Sequence, residues 1–134
     1  MDLTVLLMKK LLKNTALFVI VLMAVAVSSC DKADWVLKSE IVGTWRASKT
    51  TQYGETEEIT YSFTDDGEWR YKHIRKDSHG HTLSNEDWGI YSIVLGKISL
   101  ESKRYISYIS YDIEIKGNKL YLSDRDFSIV LIRD

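Results

Sequence analysis

Ile59-Thr60-Tyr61-Ser62-Phe63-Thr64-Asp65-Asp66-Gly67-Glu68-Trp69-Arg70-Tyr71-Lys72-His73 is the stretch that decides the fold. Ile59, Tyr61 and Phe63 alternate with Thr60, Ser62 and Thr64, the period of two expected of a half-buried strand. Trp69, Tyr71 and His73 then alternate with Glu68, Arg70 and Lys72. The Asp66-Gly67 step lies between the two runs, and an Asp-Gly dipeptide between alternating segments is a strong hairpin signal. Successive side chains on a strand point to opposite faces, so one choice of phase assigns a whole strand to core or solvent.

Working outward, the same signature recurs. Strands are expected over roughly 42–52, 57–64, 68–76, 86–94, around Ile98 and Leu100, 104–116, 119–123 and 127–133. Asp77-Ser78-His79-Gly80-His81, Leu95-Gly96-Lys97, Gly117-Asn118 and Ser123-Asp124-Arg125-Asp126 supply the turns between them. The expected inward set is Ile59, Tyr61, Phe63, Trp69, Tyr71, Trp88, Ile90, Ile109, Tyr111, Ile113, Leu120, Leu122 and Leu131. Two strands carry apolar residues on both faces, with Tyr91 and Ile93, or Val130 and Ile132, competing for the interior. Whichever set loses must lie outside, beneath the segment around Trp35 and Leu37 or at a partner surface. Eight short strands joined by tight turns make an all-β domain. Sequential hairpins favour a small antiparallel up-and-down barrel, whose closure removes exposed edges.

Residues 1–29 do not belong to that domain. Lys9, Lys10 and Lys13 precede an unbroken apolar run from Leu17 to Val27. Eleven residues fit the h-region of a signal peptide and are short for a bilayer span. The run ends at Val27-Ser28-Ser29-Cys30, which resembles the lipobox of bacterial lipoproteins: an aliphatic residue, two small ones, then the cysteine that takes the diacylglycerol. An uncleaved anchor with an incidental cysteine is the competing reading. Cys30 is the only cysteine, so the fold relies on its core rather than on an internal disulfide, and lipidation accounts for the unpaired thiol. Met8-Lys9-Lys10 is a more usual opening than Met1-Asp2, so translation is expected to start at Met8. Residues 30–40 read as a tether turning helical toward Ile41, and 41–134 as the barrel domain.

Composition narrows the function classes. With Asp2, Lys9, Lys10 and Lys13 removed, Cys30–Asp134 keeps 15 basic and 18 acidic residues, a net charge of −3. No basic stripe is present, which argues against nucleic acid. A mature chain of this length buries one modest core.

Further motifs are similar to those of bacterial lipocalin-like lipoproteins of the Bacteroidetes type. Gly43-Thr44-Trp45 resembles the Gly-x-Trp of the first lipocalin strand. Phe63-Thr64-Asp65-Asp66-Gly67 resembles a recurrent hairpin of that group, and Trp88-Gly89-Ile90-Tyr91 its Gly-x-Tyr strand. Arg133 resembles the late arginine that lies over the first-strand tryptophan and closes one barrel end. The resemblance implies that Gly43, Trp45 and Arg133 form a structural signature, with Trp45 and Arg133 in contact across 88 positions. Asp31, directly after Cys30, resembles an inner-membrane retention signal in enteric bacteria and, with its acidic neighbours, a surface-export signal in Bacteroidetes.

Tyr61, Trp69, Tyr71, Trp88 and Tyr111 are the candidate ligand-binding residues, because such rings offer apolar faces with a polar handle. The competing reading is that they fill a small barrel. His79-Gly80-His81, with His73 and Asp77, is a cluster of imidazoles, but a turn without cysteines lacks the fixed tetrahedral set of a structural zinc site, and no metal is expected. Asp65, Asp66, Glu68, Glu86 and Asp87 read as turn formers rather than an acid/base pair. No nucleophile motif or phosphate loop is found; neither an enzyme nor a cofactor is expected. The leading expectation is a non-enzymatic module, lipid-anchored in the cell envelope on a bacterial membrane, binding a small apolar or amphipathic ligand. The alternative is a filled barrel acting as an interaction or inhibitor module of an envelope protein complex. Cys30→Ala is expected to abolish labelling of the chain by a fatty-acid analogue; undiminished label on the variant would refute the lipobox assignment.

Overall fold

The computed structural model describes residues 32–134. Residues 1–31, which include the expected signal peptide, Cys30 and Asp31, lie outside the described residues. A short helix α1 (Asp34–Ile41) leads into eight strands: β1 (Gly43–Thr50), β2 (Thr56–Phe63), β3 (Glu68–Lys76), β4 (Thr82–Val94), β5 (Lys97–Ser102), β6 (Tyr108–Lys116), β7 (Lys119–Ser123) and β8 (Ser128–Arg133). Each strand pairs antiparallel with its sequence neighbour, and β8 returns to β1, so the sheet is a closed up-and-down barrel. The expected strands are all present. The fourth begins earlier, at Thr82, and the sixth later, at Tyr108, because residues 103–107 form a loop.

The β2–β3 hairpin has the expected register, with Phe63 opposite Trp69, Tyr61 opposite Tyr71 and Ile59 opposite His73. One half of the barrel is filled by Trp45, Phe63, Trp69, Tyr91, Ile98, Leu100, Ile113, Ile115, Leu120, Leu122 and Leu131, all buried. The eighth strand takes the expected phase, with Leu131 inside and Val130 and Ile132 outside and partly exposed.

The fourth strand takes the opposite phase from that expected. Trp88 and Ile90 lie on the outer face, each 44% exposed, while Gly89, Tyr91 and Ile93 face inward. The reason is steric. Gly89 pairs with Trp69, and a Cβ on it would stand 1.7 Å from the Glu101 carbonyl oxygen. The Trp69 indole occupies the volume over the glycine and donates its N–H to that same carbonyl at 3.2 Å. No side chain at position 89 could share that space, whatever the hydropathy of its neighbours. Ile109 keeps the inward phase but starts β6 at the barrel rim, where it is 45% exposed.

Of the two places expected for the surplus apolar residues, beneath the segment around Trp35 and Leu37 or at a partner surface, the first is not taken by Ile90, Val130 and Ile132, which stay exposed. That segment stoppers one end of the barrel: Leu37 and Ile41 join the core while Trp35 is 76% exposed. Three sets of bonds hold the stopper. The Asp34 carboxylate accepts the Leu95 and Gly96 N–H groups of the β4–β5 turn at 2.8 and 2.9 Å. Lys32 donates to the Ile115 carbonyl at 2.7 Å. At the helix C-terminus, the Trp45 indole donates to the Ile41 carbonyl at 2.8 Å, and Arg133 donates to the carbonyls of Glu40 (2.5 Å) and Val42 (3.0 Å). The Arg133 guanidinium lies over the Trp45 ring, 4.2 Å from its centroid, and the two residues pair across the β1–β8 seam. Gly43 completes the arrangement: its φ is +133°, and a Cβ there would press to 3.1 Å from the guanidinium.

Arg133→Met is expected to cost about 2–4 kcal/mol, through loss of the cation–π contact and exposure of two helix-terminal carbonyls to an apolar neighbour. Gly89→Ala is expected to cost at least about 1–3 kcal/mol, because the collision is with backbone. Urea denaturation of each variant measures both values.

Candidate functional site

The half of the barrel away from α1 has a different lining. Tyr61, Tyr71 and Asp87 are lateral neighbours on β2, β3 and β4, and all face inward. Ile59, His73 and Asn85 form the next inward row toward the mouth, with Ala47 beside Ile59 on β1. Tyr111 enters from β6, its ring 5.6 Å from that of Phe127. The rings of Tyr61 and Tyr71 are tilted against each other at 5.0 Å.

Tyr61 is the deepest of these, 7% exposed, and its hydroxyl makes no hydrogen bond among the described residues. No sealed side-chain oxygen among those residues lacks a partner. The Tyr61 oxygen is therefore not sealed but within reach of solvent. Burial pushes the Tyr61 phenol well above the usual tyrosine range, with further increments from Tyr111, Tyr71 and Asp87. Tyr71 and Tyr111 are raised too, chiefly by burial. The three phenols stay protonated near neutral pH, as donors and acceptors of hydrogen bonds rather than as bases.

The acidic groups around them differ in their partners. Glu57, on the inward face of β2 near the rim, meets the His73 imidazole at 2.5 Å and lies 3.9 Å from the Arg75 guanidinium. Asp87 accepts the Ser102 hydroxyl at 2.6 Å and the Trp88 N–H at 2.8 Å, both on Oδ1. Its Oδ2 has no partner among the described residues. Asp124 turns its Oδ1 to the N–H groups of Asp126 and Phe127 in the β7–β8 turn.

Of the five candidate ligand-binding residues, the structure brings Tyr61, Tyr71 and Tyr111 together in this half of the barrel. Trp69 belongs to the filled half, bonded to Glu101. Trp88 lies outside, where it lines a groove of about 250 Å³ with Thr60, Ser62, Arg70, Lys72 and Glu86, and Tyr71 and Asp87 also border that groove. Arg104 from the β5–β6 loop rests on the Trp88 ring at 5.7 Å and on Tyr105 at 5.1 Å. Asp87 was missed as a lining residue because its inward placement follows from the phase of β4. The signal was the register itself: pairing Trp69 with Gly89 sets Asp87 beside Tyr71. In the His79–His81 turn, Asp77 accepts the N–H groups of His79 and His81 and faces the His81 ring at 2.9 Å. Desolvation raises the Asp77 carboxyl, and the bonds from His81, His79 and Gly80 together outweigh it and hold the group below the usual range.

The raised phenols make a pH prediction. Above about pH 10, the usual tyrosine value, the unfolded chain releases protons that folded Tyr61, Tyr71, Tyr91 and Tyr111 retain. Folding stability should thus be level up to about pH 9 and fall as pH rises further. Tyr61→Phe should flatten that fall while changing stability at pH 7 by less than about 1 kcal/mol, since its hydroxyl has no partner among the described residues to lose. Urea midpoints between pH 7 and 11 test both statements.

No protein-family model matches the chain, and no curated protein matches it. Among solved structures it is similar to a lipoprotein YedD from Klebsiella pneumoniae subsp. pneumoniae MGH 78578. The identity is 16%, the match covers 70% of this chain and 71% of that one, and the TM-score is 0.46.

Proposed function

We propose that this chain is an exported lipoprotein of the bacterial cell envelope, anchored through lipid on Cys30, whose lipocalin-like barrel binds a small hydrophobic or amphipathic molecule in its open half. The observation that carries the binding reading is the Tyr61 hydroxyl, on a side chain only 7% exposed and without a hydrogen-bond partner among the described residues. A deep polar group facing open space calls for water or a ligand to complete it. Ile59 and Ala47 share the inward face with it, and Phe127 packs on the Tyr111 ring, so apolar surface is close at hand. Apolar walls with a few convergent polar groups are the usual make-up of a small-molecule site. The reading is of a binder rather than an enzyme, because the phenols are held protonated and His73 is engaged by Glu57.

A second reading is favoured by the outer face. Trp88, Arg104 and Tyr105 form an exposed aromatic and cationic cluster beside the groove lined by Arg70 and Lys72. Trp, Tyr and Arg are the residue types over-represented at protein interfaces. A protein partner in an envelope complex would sit there and leave the barrel interior free.

Native mass spectrometry of the full lipoprotein, purified from its own host, tests the first reading. The expected result is a non-covalent mass of a few hundred daltons beyond the covalent lipid, lost on denaturation and depleted about three- to tenfold by Tyr61→Phe, the worth of one hydrogen bond. Spectra that are bare, and identical for wild type and variant, count against ligand binding. A bound protein lost with Trp88→Ala but kept with Tyr61→Phe supports the second reading.

A further inference from the structure

The open half carries a charge pattern that narrows the class of ligand. Resting on the binding reading above, we propose that its ligand is a cation: a small amphipathic amine, seated among Tyr61, Tyr71 and Tyr111 with its ammonium group toward Asp87.

Three observations support this. The first is the free carboxylate oxygen. Asp87 faces inward, directly beside Tyr71 on the sheet, and both of its hydrogen bonds fall on Oδ1. No lysine, arginine or histidine nitrogen lies within 4 Å of it among the described residues. A half-buried carboxylate gains most from a cation when it stands in a site of low polarity.

The second is where the cations are. On the inward faces around the mouth they are Lys49, His73 and Arg75, and all three are drawn to Glu57: His73 and Arg75 by contact, Lys49 as its opposite residue in the β1–β2 pair. Glu57 thus has ion-pair partners at the rim, whereas Asp87 has none within 4 Å among the described residues; the cation of the neighbouring loop, Arg104, is on the outer face, bonded to the Glu86 carbonyl and laid over Trp88. Asp124, across the barrel, adds negative potential at Tyr111. Arg133, the other inward cation, is at the stoppered end, under the helix carbonyls.

The third is the aromatic lining. Two tyrosine rings tilted at 52°, with a third entering from the opposite wall, offer electron-rich faces and hydroxyl acceptors to one volume. Ring faces attract ammonium and quaternary ammonium groups, more strongly as water is excluded. The unpartnered Tyr61 hydroxyl can accept one N–H of a primary amine. An anionic head would meet Asp87 uncompensated, so a fatty-acid-like ligand is disfavoured by the same geometry.

The test uses full-length lipoprotein in a non-ionic amphipol and three probes of one chain length: hexylammonium, 1-hexanol and hexanoate. Isothermal titration calorimetry should give hexylammonium an affinity at least about tenfold above hexanoate and above hexanol. Asp87→Asn, which preserves a bond to Ser102, should bring hexylammonium down to the level of hexanol and leave hexanol itself unchanged. Asp87→Glu should restore part of the preference, separating charge from any general loss of structure. Hexanol or hexanoate binding as well as hexylammonium, in a manner weakened by Tyr61→Phe, overturns the cation proposal while leaving the binding site in place. No binding of any probe, with Tyr61→Phe indistinguishable from wild type, overturns the binding reading and the cation proposal together.

Discussion

The contact between Arg133 and Trp45 holds three parts of the structure at once. The guanidinium lies on the indole, the two residues pair across the seam that closes the barrel, and both donate to carbonyls at the end of α1. A helix of eight residues is too short to be stable on its own. Its last carbonyls need donors, and a cation at that end is favoured by the helix dipole. The barrel supplies both from its first and last strands. In return the helix places Leu37 and Ile41 in the barrel end and seals it. Gly43 is part of the same arrangement, since its backbone conformation and its missing side chain leave room for the guanidinium.

That stopper divides the interior into two unlike halves. Next to it, aliphatic side chains, Trp45, Phe63, Trp69 and Tyr91 fill the space between the strands, and a Trp69–Gly89 pair brings β4 close against β5. Beyond Tyr61 the lining changes to phenols, a carboxylate and an imidazole. An eight-stranded barrel has an interior just wide enough for side chains or one small ligand. Here the core occupies one half, and in the other half the Tyr61 hydroxyl and Asp87 Oδ2 have no partner among the described residues. A molecule entering it would come from the mouth, past the Glu57–His73 pair, because the opposite end is closed by the helix.

The outer face has its own organisation. The phase of β4 moves Trp88 and Ile90 out of the core and onto the surface, where Arg104 folds back over the indole. Val130 and Ile132 are likewise outside on β8. Isolated apolar residues on a surface are ordinary. The cluster of Trp88, Arg104 and Tyr105 is a more specific feature; it lies on the outer wall, beside a groove that Tyr71 and Asp87 also border. The chain therefore offers two chemically distinct surfaces, one inside the barrel and one on its wall.

Much of the fold was legible in the sequence, for a physical reason. Where one face of a strand is apolar and the other charged, as with Trp69 and Tyr71 against Glu68, Arg70 and Lys72, the cost of burying charge leaves a single phase open. The Asp66-Gly67 turn and the short, regular spacing of strands then specified hairpins in sequence and a barrel closed by Trp45 and Arg133. What the pattern could not decide was β4, because Trp88, Ile90, Tyr91 and Ile93 put apolar residues on both of its faces. There the tertiary structure decided by volume: the Trp69 indole needs the space above position 89, and only glycine leaves it free. That single choice of phase also turned Asp87 inward, next to Tyr71, and so created the charge character of the open half. The helix was half legible, as a turn toward Ile41, but its role as a stopper depends on carbonyl partners contributed by residues at the two far ends of the barrel domain. Hydropathy reads which residues prefer burial; which of several apolar side chains actually takes the interior is set by packing, and packing exists only once the strands are assembled.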